Sequence, residues 1–177
     1  MRRSLLLAAA GIVCLPMLAA DPADALNQRS GSGNLYIRNT IVRDNAATGI
    51  VITPGSGTVD VVIDNTHVNR NDFGISAGVN SRIVVNNSVV MGNAIQGVHA
   101  DAGGKLSIDR SVINGNVTGV GADAGSTVAL GNTDIMFNGT GISGNTLYFT
   151  NNRIFGNNVA GTPPTPIGFA TSDTGQQ

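Results

Sequence analysis

The sequence offers a single thiol, Cys14, and it lies inside an apolar N-terminal run. Without that run the chain has no disulfide and no thiolate metal site, so packing and backbone hydrogen bonds must hold the fold. Charge is scarce: 12% of residues are charged, the net charge is −1, and Lys105 is the single lysine. With no basic patch, nucleic acid is not an expected partner. No HExxH, GxSxG or CxxC occurs, and Ser30-Gly31-Ser32-Gly33 lacks the Gly-Lys-Thr/Ser that would make it a phosphate loop. Tryptophan is absent, while glycine, asparagine, valine and isoleucine dominate. That mixture disfavours long helices and favours short strands joined by tight turns.

Long hydrophobic stretches are missing too. The run from Leu5 to Leu18 is shorter than the ~20 residues of a spanning helix. Arg2 and Arg3 precede it and Ala23-Asp24-Ala25 follows, which is the order of a secretory signal cleaved before Leu26. The adjacent arginines also carry a faint likeness to a twin-arginine export signal. Gly11, not leucine, stands three residues before Cys14, which argues against lipidation. The expected organisation is a signal over 1–25, a flexible linker over 26–33, one domain over 34–161 and a proline-rich, partly disordered tail over 162–177. The expected location is secreted, periplasmic or cell-envelope, with no membrane span after cleavage.

What is present is a repeat. "SVVMGNAIQGVHADAGG" (88–104) returns as "SVINGNVTGVGADAGS" (111–126). Both belong to a longer series: "RNTIVRDN", "DNTHVNRN", "NNSVVMGN", "DRSVINGN", "GNTDIMFN" and "TNNRIFGN". The final asparagines, Asn45, Asn71, Asn93, Asn116, Asn138 and Asn157, are spaced by 26, 22, 23, 22 and 19 residues. Apolar residues alternate within each unit: Leu35/Ile37, Val61/Ile63, Ile83/Val85, Leu106/Ile108, Val128/Leu130, Leu147/Phe149. A period of two means a strand with one buried face. A second apolar column (Val42, Val68, Val90, Ile113, Ile135, Ile154) and a glycine-led third strand (from Gly49, Gly74, Gly97, Gly119 and Gly141) complete each unit. Three short strands with bends between them make one coil of a parallel β-helix. Like residues repeat because each coil lies on its neighbour, about 4.8 Å away.

Two polar columns are expected inside the bends. Thr40, Thr66, Ser88, Ser111, Thr133 and Asn152 form one. The repeating asparagines form the other, at a bend where asparagine also suits left-handed backbone angles. An inward Thr/Ser column, with mixed outward ones, argues against an ice-binding face.

The pattern "NNRIFGNNVAG", with "GNTDIMFNGTGI" before it, resembles the right-handed parallel β-helix repeat family, the pectate-lyase-like superfold. It is most similar to small secreted bacterial members without a well-defined activity, over about residues 34 to 161. The fold class so implied is all-β, a right-handed solenoid of about six coils with three strands each. Handedness comes from the resemblance, as periodicity does not supply it. Many such relatives carry a cap before the first coil; "LNQRSGSGN" is short and polar. An uncapped N-terminal coil open to self-association is therefore expected. Pro163 and Pro164 are expected to stop the stack at its other end, with Ile167 and Phe169 folded back over the last coil.

Enzymes of the superfold work from a groove outside one sheet. They use acidic residues for calcium with an arginine or lysine base, or two or three close carboxylates. On the glycine-led strand the outward positions are Val51, Ser76, His99, Gly121 and Ser143, with Asp101 and Asp123 just beyond. His99, Asp101 and Asp123 are the candidate catalytic residues. Asp101 and Asp123, stacked one coil apart, are the candidate metal ligands, for calcium if for anything; no cofactor is otherwise expected. The competing account is that aspartate suits the turn in a duplicated "ADAG". His67 reads as a lone surface histidine. The column Tyr36, Val62, Val84, Ser107, Ala129, Tyr148 is apolar for a solvent face and reads equally as a docking surface or as a covered one.

Three functions follow as expectations. The first is a non-catalytic surface or envelope module with a polysaccharide or cell-surface protein as partner. The second is a small uronate lyase or epimerase-like enzyme. The third is a truncated family member without independent function.

Overall fold

The computed structural model describes residues 31–149 and 151–167, together with the strands Gly11–Val13 and Leu26–Gln28. The rest of the expected signal, Cys14 included, and the tail from Gly168 to Gln177, with Phe169, lie outside the described residues. Every described regular element is a strand, and every pairing is parallel. Among the described residues no helix is long and apolar enough to cross a membrane.

The strands stack into three sheets. The first holds eight: Gly11–Val13, Gly33–Arg38, Val59–Asp64, Ser81–Asn86, Lys105–Asp109, Thr127–Gly131, Leu147–Tyr148 and Thr165–Pro166. The second holds six: Ile41–Arg43, His67–Asn69, Val89–Met91, Val112–Asn114, Asp134–Met136 and Arg153–Phe155. The third holds seven: Leu26–Gln28, Thr48–Ile52, Phe73–Ala77, Gln96–Ala100, Thr118–Ala122, Thr140–Ser143 and Val159–Gly161. The chain visits the sheets in turn, which gives the expected three strands per coil and, counted on the second sheet, six coils.

The alternating apolar residues face one continuous core. Ile63, Val85, Val68, Val90, Ile75, Val98 and Val120 are fully buried. Each such side chain contributes ~1.5–3 kcal/mol by leaving water, without help from aromatic residues or cross-links.

The bends are polar and satisfied. Thr40, Thr66, Ser88, Ser111 and Thr133 each donate a hydroxyl to the carbonyl two residues earlier. Several also accept from the coil before: Thr66 N–H donates to Ser88 Oγ (3.1 Å), Ser88 N–H to Ser111 Oγ (3.2 Å) and Thr133 N–H to Asn152 Oδ1 (3.0 Å). At the second bend each ladder asparagine donates Nδ2 to the Oδ1 of the next: 45 to 71, 71 to 93, 93 to 116, 116 to 138 and 138 to 157, at 2.7–3.1 Å.

Left-handed backbone falls one residue before each of these polar columns. At the first bend it falls on Asn39, Asn65, Asn87, Arg110, Asn132 and Asn151. At the second it falls on Asp44, Arg70, Gly92, Gly115, Phe137 and Gly156, so the ladder asparagines do not supply it, contrary to expectation. Their role is to hydrogen-bond, and the preceding residue makes the turn. The first-bend column forms an outer chain, with Asn65 donating to Asn39 (2.7 Å), Asn87 to Asp64 (2.9 Å) and Asn132 to Asp109 (2.8 Å).

Three further expectations change. First, two strands lie on the N-terminal coil: Gly11–Val13 pairs with Gly33–Arg38 and Leu26–Gln28 pairs with Thr48–Ile52. Gly11–Val13 falls within the expected signal, so after cleavage Leu26–Gln28 alone covers that coil, on the third sheet. Leu26–Gln28 is thus a strand within the expected linker. The barer end is the last coil, where Val159–Gly161 is exposed throughout and Ile154 is only partly covered. Second, the sixth coil slips by one residue on the first sheet. Leu147 pairs with Ala129 and Tyr148 with Leu130, so Leu147 joins the outer column, Tyr148 turns to the core and Phe149 is exposed. The sequence places one residue more between Phe149 and Asn152 than between Gly131 and Thr133, and that residue absorbs the slip. Third, the stack runs past residue 161 and past Pro163 and Pro164: Thr165–Pro166 pairs with Leu147–Tyr148.

Exposed ion pairs join adjacent coils. Arg70 grips Asp44 through two nitrogens (2.6 and 2.8 Å), Arg82 grips Asp60 (2.5 and 2.6 Å), and Arg153 grips Asp134. The hydrogen bond from Arg82, with the guanidinium charge behind it, holds the Asp60 carboxyl below its usual range. A carboxyl lowered in the folded state stabilises the fold fully above the ordinary carboxylate range. That contribution disappears as pH falls through the lowered value. Asp60→Asn is therefore expected to leave the thermal midpoint at neutral pH almost unchanged, since the pair is exposed. It should flatten the loss of stability below about pH 4; thermal melts across pH would read this, and an unchanged acid limb would refute it.

Candidate functional site

The third sheet carries the only group of three metal-ligating side chains found among the described residues. His99 lies in the strand Gln96–Ala100 and, by alternation, points outward from the core residues Val98 and Ala100. Parallel register places it beside Ser76 on one side and Gly121 on the other. Asp101 and Asp123 follow their strands at equivalent places, with backbone N–H groups bonded to Ala77 O (2.9 Å) and Ala100 O (3.0 Å).

Each aspartate opens a tight turn. Gly104 N–H returns to Asp101 O (2.8 Å) and Ser126 N–H to Asp123 O (3.0 Å), with Gly103 and Gly125 in the left-handed region. A turn of this kind needs that glycine. It does not engage either aspartate side chain. Both carboxylates instead reach His99: Asp123 Oδ1 lies 3.2 Å from Nε2, and Asp101 Oδ1 lies 3.4 Å from Nδ1. The imidazole is 16% exposed and the carboxylates 42% and 57%, so the histidine is recessed between two solvent-facing acids. The three ligand atoms lie within 4.8 Å of one another.

Two residues passed over in the sequence complete the surroundings. The Phe73 ring sits 6.1 Å from the His99 ring, tilted by 32°. The Gln96 amide lies across Gly121, where an added Cβ would come within 2.5 Å of its Oε1. That Oε1 is buried and has no hydrogen-bond partner. Phe73, Gln96, Thr118 and Thr140 occupy one column along the axis. Stacking strands beginning "FGISA" and "QGVHA" could have shown Phe73 and Gln96 beside His99.

The other candidates stay apart. His67 is exposed on the second sheet and makes no side-chain hydrogen bond or ion pair among the described residues. Among the described residues no arginine or lysine comes within ion-pair distance of Asp101 or Asp123. Arg43, Arg70, Arg82, Arg110 and Arg153 instead pair with Asp44, Asp60, Asp109 and Asp134.

Comparison with known proteins gives one family. Residues 23–138 match the model of the right handed beta helix region. The match covers more than half of the chain, and the chain belongs to that family. No curated protein and no solved structure matches it.

Proposed function

We propose that this β-helix is an exported, non-catalytic recognition module that binds a glycan along the outer face of its third sheet. The observation that carries this reading is the His99 group itself. Recessed imidazole, two projecting carboxylates, a tilted aromatic ring and an unpaired amide oxygen line one stretch of an axial row. Carboxylates and amides accept hydrogen bonds from sugar hydroxyls, and an aromatic face packs on the apolar side of a pyranose ring. A site of few placed polar groups beside apolar surface is the usual form of a ligand site. The charge order of residues 1–25 supports export. The absence of a guanidinium or ammonium beside the carboxylates tells against proton abstraction from an anionic uronate.

A second reading has one observation behind it. Carboxylates about 5 Å apart can serve glycosidic cleavage, and the ligand atoms of Asp101, Asp123 and His99 fall within 4.8 Å of one another. One experiment separates the two. The purified full chain is incubated with neutral and acidic polysaccharides, and both co-sedimentation and new chain ends are followed. Binding without new ends is expected, weakened about tenfold by Asp123→Asn combined with Phe73→Ala, the loss of roughly one good contact. New reducing or unsaturated ends that vanish in the Asp101→Asn/Asp123→Asn protein would establish the enzyme instead.

A further inference from the structure

We propose that His99, Asp101 and Asp123 hold a divalent first-row transition-metal ion, zinc-like rather than calcium-like. The inference takes the recognition site above as its place and adds a cation to it. Distance supports it first. His99 Nε2 and Asp123 Oδ1 are 3.2 Å apart. Two ligands bound ~2.0–2.1 Å from a tetrahedral ion stand about 3.3 Å apart. Asp101 completes a set of ligand atoms no more than 4.8 Å from one another; it now lies 3.4 Å from the other ring nitrogen, Nδ1, and its exposed side chain turns toward Nε2 to join an ion held there.

Donor chemistry selects the ion. Calcium asks for six to eight oxygen ligands, whereas imidazole with carboxylate suits zinc and its neighbours. Protein supplies three ligands here, which leaves a position for water or for a ligand oxygen.

Preorganisation is the next argument. Asp101 belongs to the third coil and Asp123 to the fourth, and sheet register fixes both backbones. Neither carboxylate is spent on its own turn or on an arginine. Histidine therefore stands between two acids that no other side chain neutralises.

A separate observation comes from Gln96. Its Oε1 is shielded from solvent, lacks a donor and lies over Gly121, the register partner of His99. A buried carbonyl oxygen without a donor is costly. A donor brought by a ligand at His99, once the amide turns toward it, would answer that oxygen.

The test uses the full chain, stripped with a chelator and titrated calorimetrically with zinc chloride and with calcium chloride. One equivalent of zinc should bind and raise the thermal midpoint, with calcium failing to compete at equal concentration. His99→Ala and Asp123→Asn should each lower zinc affinity at least about tenfold, while His67→Ala leaves it unchanged. Cobalt should give the visible bands of a four-coordinate site in the native chain and lose them in His99→Ala. Midpoints of the metal-free variants, equal to that of the native chain, show that they are folded. The proposal falls if zinc does not bind, if His67→Ala weakens binding as much as His99→Ala, or if calcium binds better and ignores His99. Polymer co-sedimentation with and without chelator reads the recognition function separately. Zinc binding with no polymer binding would sink that function and leave the metal site standing.

Discussion

Replacing Asn116 by alanine is expected to lower the stability of the fold by about 3–5 kcal/mol, among the largest effects of any single side-chain truncation in this chain. The reason is the number of partners that meet at one amide. Asn116 Oδ1 accepts both the backbone N–H of Asn93 (3.0 Å) and its Nδ2 (2.9 Å). Asn116 Nδ2 donates to Asn138 Oδ1 (3.0 Å) and to Val90 O (3.3 Å). Alanine leaves the backbone N–H of Asn93 without an acceptor and its Nδ2 with only Val68 O (3.4 Å), in a site where that residue is 1% exposed. A buried donor without a partner costs ~1–3 kcal/mol, and neighbours in a chain of hydrogen bonds strengthen one another. Position on the ladder supplies the control. Asn45 is the first rung, and no ladder residue donates to its Oδ1. Asn45→Ala should therefore lose less, about 1–2 kcal/mol, because it orphans no donors of a preceding ladder asparagine. Urea unfolding of the two variants measures the difference. Equal losses would mean that the ladder acts through packing alone.

Gly97→Ala is expected to be at least as severe, about 3–5 kcal/mol or failure to fold, by a different cause. The glycine that opens each third-sheet strand is not held in the left-handed region, so conformational freedom does not explain it. Close approach does. A Cβ on Gly97 would stand 2.7 Å from Gly119 O, 2.8 Å from Asn116 Nδ2 and 3.0 Å from Ile113 Cγ2. Two of these contacts belong to the backbone and ladder of the next coil, and neither can retreat without parting the sheets. Gly33 makes the comparison clean, since a Cβ there meets nothing within 4 Å. Gly33→Ala should be neutral or stabilising by up to about 1 kcal/mol, because it restricts only the unfolded chain. A tolerated Gly97→Ala would show that the coils are less tightly seated than these distances imply.

The architecture was legible in the sequence because stacking converts chemistry into repetition. Thr66 lies by Ser88, and Asn93 by Asn116, since an unlike residue at either place would orphan its neighbour. The slip at Leu147 was not legible in the same way. A spacing of 19 between Asn138 and Asn157 says that residues are missing, not where the pairing moves. The strand Leu26–Gln28 was not legible because three residues carry no period of their own. At the candidate site, the meeting of Asp101 with Asp123 followed from register alone. The direction of their carboxylates did not, since either could have bonded to its own turn. Nor did the part played by Phe73 and Gln96, whose strands open like their neighbours but with bulkier side chains.

The asparagine ladder also has a direction, and that makes its two ends chemically unlike. From Asn45 to Asn138, each amide gives its protons to the asparagine of the coil that follows, and receives none from it. During synthesis or export from the N-terminus, a partly made solenoid therefore ends in donors that are still unanswered. The incoming coil brings the carbonyl that answers them and, with it, the next pair of donors. Each coil added at that end therefore satisfies the donors of the one before it and presents its own.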